Sequence, residues 1–132
     1  MVDGKSGSGS GAGSGARFQV KRVYDDPSPQ DGFRVLVDRL WPRGISKERA
    51  EVDEWAKDVA PSGELRQWFH ADRDGRYDEF AARYAAELDA PELQDRLAAL
   101  RSQAAERTVT LLTAVKDAEH SHVPVLMQSL ER

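Results

Sequence analysis

Two polar clusters in the chain hold the side chains best suited to chemistry. The first is the Asp38–Gly44 segment, DRLWPRG. Arg39 and Arg43 carry planar guanidinium forks, which bind phosphate or carboxylate through paired hydrogen bonds. Trp41 can stack on a planar ligand or on an arginine. Pro42 fixes the backbone and Gly44 permits a tight turn. Lys21 and Arg22, upstream, would add positive charge. Asp38, Arg39, Trp41, Arg43, Lys21 and Arg22 are therefore the candidate ligand-binding residues. The structural alternative has Asp38 pairing with one of the arginines while Trp41 fills core.

The second cluster, KDAEHSH, contains Lys116, Asp117, His120 and His122. A histidine with a neighbouring carboxylate can act as a general base near neutral pH. A lysine at a crevice can hold an anion or, if desolvated, attack an electrophile. Lys116, Asp117 and His120 are the candidate catalytic residues, and capping of a turn by Asp117 is the bland alternative. His120-x-His122 with Asp117 could be read as metal ligands. The spacing is common by chance and a zinc site needs a defined ligand set, so no metal is assigned. No cofactor is assigned either. The chain lacks G-x-x-x-x-G-K-[ST], G-x-S-x-G and H-E-x-x-H.

The elements around these clusters must position them. Residues 17–24, RFQVKRVY, alternate apolar and polar as a strand does. Residues 25–32 are rich in turn formers. Phe33 to Leu40 reads as a second strand, with Phe33, Val35 and Val37 on one face and Leu36 and Leu40 on the other, a pattern for a covered central strand. On such a strand Asp38 and Arg39 would point to opposite faces. Ser46 reads as the N-cap of a short helix. Residues 52–60 fit either a helix or a strand. Ser62 caps a helix through Leu65, Trp68 and Phe69, and His70 falls at its end, where a cation is favourable. Residues 75–89 form a helix with Tyr77, Phe80, Tyr84 and Leu88 on one stripe. Pro91 opens another, with Leu93, Leu97 and Leu100 buried. Thr108 to Val115 is a short β-branched strand. Residues 123–131 form a last helix with Pro124 in its first turn. The aromatic set Trp55, Trp68, Phe69, Tyr77, Phe80 and Tyr84 follows helical spacing, which favours core over base stacking.

Strands separated by helices predict an α/β fold: a single domain with a small, mainly parallel sheet flanked by helices. Ligands in such sheets bind beyond the carboxyl ends of the strands. Both clusters follow strands. If those strands are parallel neighbours, Arg39 or Arg43 should face Lys116, Asp117 or His120 across one crevice.

Composition narrows the function classes. The 132 residues are 39% hydrophobic and 32% charged, with no cysteine, which suits one soluble globular domain without disulfides or thiolate metal sites. Residues 1–16 hold six of the ten glycines and are expected to be a disordered tail or linker, leaving 17–132 as the domain. No run approaches the roughly 18 apolar residues of a membrane span. A cytoplasmic protein without membrane partners is expected. Net charge is −4, yet residues 17–49 carry eight Lys/Arg against five Asp/Glu, and residues 50–107 eight against fourteen. A basic site on an acidic protein suits a small anion and disfavours a nucleic acid.

The stretches VKRVYDDPSPQDGFRVLVDRLWPRG, KDVAPSGELRQWF and VTLLTAVKDAEHSH cover nearly the whole domain. Through them residues 18–130 resemble the YeaO-like branch of the domain of unknown function 488 family. The resemblance implies an α/β domain with no assigned activity and supplies no catalytic residues. Pro124 departs from the smoother helix start expected there. The expected function is binding of a small anionic ligand, phosphorylated or nucleotide-like, at the strand carboxyl ends, with catalysis open. A non-catalytic regulatory or interaction module is the alternative.

Overall fold

The computed structural model describes residues 17–131; the expected glycine-rich tail lies outside them. Four strands form one sheet: β1 (Phe18–Arg22), β2 (Phe33–Leu36), β3 (Glu54–Trp55) and β4 (Val109–Thr113). Their spatial order is β1-β4-β2-β3, and every pairing is parallel. The last strand in sequence thus lies between the first two. VTLLT suits that place, because a strand covered on both faces needs β-branched and apolar residues throughout, and all five are buried.

Alternation along β2 and β4 divides the core. Val35, Val109 and Leu111 pack against α2 (Gly63–His70), α3 (Arg73–Leu88), α4 (Pro91–Glu106) and α5 (Val123–Glu131). Leu36 and Leu112 face the other way, into a smaller cluster with Val23, Ile45 and Ala50, the last in the short α1 (Lys47–Ala50). The expected helices are present with their expected caps. The Ser46 hydroxyl accepts from the amide of Arg49, and that of Ser62 from Leu65. Pro91 opens α4, and Pro124 sits in the first turn of α5. The ambiguous 52–60 stretch is neither simple alternative: β3 is followed by a 3-10 turn, Lys57–Val59.

β2 ends earlier than its sequence pattern suggests. Val37 still donates its amide to Leu112, but the amide of Ala114 is taken by the Asp38 carboxylate. A side chain replaces the ladder, and the chain is free to turn. Leu40 consequently lies exposed instead of covering a sheet face. At the start of β2, Gly32 adopts φ of 64°, and an added Cβ would meet the Thr108 carbonyl oxygen at 2.2 Å. Only glycine fits that turn without strain. No helix among the described residues is long and apolar enough to cross a membrane.

Candidate functional site

Because β2 and β4 are parallel neighbours, residues 37–43 and 114–122 leave the sheet at the same end. Between them lies a cavity of about 410 Å³, within the usual range for small-molecule sites. Segments from across the chain wall it: Asp38 to Arg43, Ala60 and Pro61, Arg66, Phe69, His70 and Arg73, and Ala114, Val115, Ser121 and His122. Phe69 and Phe80, stacked with ring centroids 4.1 Å apart, supply apolar surface.

Asp38 sits at the joint. One carboxylate oxygen accepts from the Thr113 hydroxyl at 2.7 Å, and the other from the Ala114 amide at 2.7 Å. His122 Nε2 lies 3.4 Å from the first oxygen and 3.0 Å from the Val37 carbonyl. A carbonyl only accepts, so Nε2 carries the proton. Burial pushes the Asp38 pKa up, but the bonds from His122, the Ala114 amide and Thr113 outweigh it and hold the carboxyl below its ordinary value. Its backbone oxygen also accepts from the Trp55 indole at 2.8 Å. The structural alternative, Asp38 paired with an arginine, does not occur among the described residues.

The arginines are held differently. Arg39 donates through Nε to Pro61 O at 2.8 Å and through a terminal nitrogen to Ala60 O at 3.2 Å. Asp38 and Arg39 both line the cavity, not opposite faces, because the strand has already ended. Arg43 is anchored by its backbone oxygen, which accepts from the Tyr24 hydroxyl at 2.8 Å; its side chain is exposed. Trp41 has core contacts and a place on the cavity wall. Its indole N–H donates to Ile45 O and its ring meets Trp55 edge-on, yet it also borders the cavity.

Sequence reasoning missed the other cationic wall. Arg66 and His70 from α2 and Arg73 from α3 line the same cavity. The spacing of four between Arg66 and His70 was a readable signal for one face of α2, whereas Arg73 opens the next helix. No carboxylate lies within ion-pair distance of Arg39, Arg43, Arg66 or Arg73 among the described residues. The helix end does not make His70 a favourable cation. Partial burial first, then Arg66 and Arg73, lowers its pKa.

The remaining candidates lie elsewhere. Lys21 pairs with buried Asp31 at 3.1 Å, and Asp31 also binds buried Arg34 at 2.5 Å. Arg22 stacks over Tyr24, and one terminal nitrogen reaches Ala114 O at 3.4 Å; neither Lys21 nor Arg22 lines the cavity. Lys116 is exposed and also lies outside it. Asp117 and His120 border a separate hollow with Arg73, Asp74 and Tyr77. His120 Nδ1 lies 2.9 Å from the Asp117 carboxylate, which raises the histidine pKa. The expected meeting of Arg39 or Arg43 with Lys116, Asp117 or His120 in one crevice therefore does not occur. The 3-10 turn at Ala118–His120 carries those residues outward, and Ser121 and His122 enter the cavity instead. His120 and His122 part in the same way, and no group of three or more metal-ligating side chains gathers among the described residues.

Comparisons with known proteins agree on one lineage. A family described as "Inactive DUF488-N3 subclade" matches residues 17–132. An uncharacterised protein of Mycobacterium tuberculosis is 49% identical over 114 residues, covering 86% of this chain and 93% of its own. The uncharacterised protein YeaO of Escherichia coli is 44% identical over 108 residues, covering 82% and 91%. No solved structure matches.

Proposed function

The chain belongs to the YeaO-like branch of the DUF488 family, and we propose that it binds a small anionic molecule in the cavity at the carboxyl ends of β2 and β4, without turning it over. One observation carries the reading: among the described residues, four arginines line a single cavity whose only carboxylate, Asp38, is engaged by Thr113, Ala114 and His122. Cationic groups without internal counter-ions repel one another, and an anionic ligand relieves that repulsion. Phosphate and carboxylate match the guanidinium fork.

The non-catalytic part follows from how the acid–base groups are used. The Asp38 carboxylate is held by Thr113 and Ala114 and its pKa is lowered, whereas a general base poised near neutrality needs a raised one. His122 spends its Nε2 proton on Val37 O. The Asp117–His120 pair stands in a different hollow. The description of the matching family as inactive fits this arrangement. The cytoplasmic setting expected from the sequence is part of the same proposal.

A thermal-shift and calorimetric screen against nucleotides, sugar phosphates and small carboxylates tests the reading. Saturable stabilisation by an anion, weakened in Arg43→Ala and unaccompanied by product, is expected. Absence of stabilisation by every anion would overturn it.

A further inference from the structure

We propose that the ligand carries two anionic groups, held by separate arginine pairs: Arg39 with Arg43, and Arg66 with Arg73. This rests on the anion-pocket reading and narrows it. The two pairs come from different parts of the fold. The first follows β2 and is tethered to the Ala60–Pro61 segment through Arg39. The second stands on α2 and the start of α3, where Arg73 lies over the Phe69 ring at 5.6 Å. The charges of Arg66 and Arg73 both act on His70, the α2 residue between them in sequence.

Charge and size lead to the same ligand. Four guanidiniums face one ionised carboxylate, and that carboxylate is already bonded to its neighbours. A single monoanion would leave most of this charge unmatched. The cavity, at about 410 Å³, is far larger than an inorganic phosphate, and apolar Phe69 and Phe80 surface lies among the cations. An organic body between two charged ends fits: a bisphosphate, or a phosphate joined to a carboxylate. Arg73 also borders the hollow of Asp74 and Asp117, but neither carboxylate reaches ion-pair distance from it.

Calorimetry on the full chain tests this with pyrophosphate, fructose bisphosphate and adenosine bisphosphate against inorganic phosphate, fructose monophosphate and adenosine monophosphate. At least one bis-anion should bind about tenfold tighter than its singly phosphorylated counterpart. Arg43→Gln and Arg66→Gln remove one guanidinium from each pair, and neither guanidinium makes a hydrogen bond or ion pair among the described residues. Each should weaken that bis-anion by about tenfold, while circular dichroism and melting stay unchanged. Equal affinity for mono- and bis-anions, or loss in only one of the two variants, would overturn the two-ended ligand and leave the anion pocket standing. No binding by any of the six probes would overturn both.

Discussion

The carboxylate of Asp38 accepts the hydroxyl proton of Thr113 at 2.7 Å. With the adjacent bond from the Ala114 amide, also 2.7 Å, it ties the end of β2 to the end of β4 and fixes both walls of the cavity. The residue that looked like part of a binding loop is the fastener that gives the loop its position.

Removing that fastener should be costly. Asp38→Ala leaves the Ala114 amide and the Thr113 hydroxyl without their acceptor and takes the nearby carboxylate from His122. Losing a charged, largely buried hydrogen-bond acceptor costs about 2–4 kcal/mol. Urea denaturation followed by tryptophan fluorescence should show the midpoint falling with the slope unchanged. A midpoint equal to that of the parent would remove Asp38 from this role.

The acid limb of stability has a definite sign. The Asp38 pKa is held below its ordinary value of 3.8 in the folded state. The unfolded chain therefore binds the proton first as pH falls, and stability declines from about that value downward. Asp31 is likewise lowered, burial being outweighed by bonds from the Ser28 amide, Lys21 and Arg34, so it contributes to the same decline. Between pH 5 and pH 2, about where these groups titrate, Asp38→Asn should lose less stability than the parent. Parallel curves would mean that Asp38 is not ionised preferentially in the fold.

His120 offers a local test on the far side of Arg73. Its pKa is raised, first by the hydrogen bond to Asp117 and then by that carboxylate's charge. In Asp117→Asn the histidine should titrate at a lower pH than in the parent. Proton NMR of the imidazole resonances reads this directly. Since the pair stands outside the cavity, the substitution should leave anion affinity unchanged. A matching loss of affinity would join the two hollows into one site.

Gly32 tests the fold rather than the site. With φ at 64° and the Thr108 carbonyl in the way of any Cβ, Gly32→Ala should destabilise by about 1–3 kcal/mol. Thermal melting would show it, and an unchanged melting temperature would mean that the turn can relax.

Much of this architecture is legible in the residues themselves. The β-branched run Val109–Thr113 announces a covered strand, and Ser46, Ser62 and Pro91 mark helix starts because their side chains satisfy or dispense with the first amides. What escapes a linear reading depends on distant partners. Apolar alternation through Leu40 suggests a longer β2, yet the strand stops because Asp38 meets Ala114, 76 positions later. The pairing of Lys21 with Asp31 on the far side of the sheet removes a cation that chain position alone would assign to the site. The outward 3-10 turn at Ala118–His120 separates His120 from His122, two residues that adjacency had grouped. Arg66 and His70 were readable from their spacing on α2. Only the parallel placement of β2 beside β4 gives that spacing a cavity to face.

The most direct test of the anion pocket is a two-dimensional amide and arginine-Nε NMR titration of the isotope-labelled protein with fructose bisphosphate. Saturable shifts should concentrate on residues 38–43, on Arg66, His70 and Arg73, and on Ala114 and Val115, while Lys21 and Lys116 stay still. Shifts centred on those outlying cations, or none at concentrations that saturate ordinary phosphate sites, would contradict the cavity as the place where this protein binds.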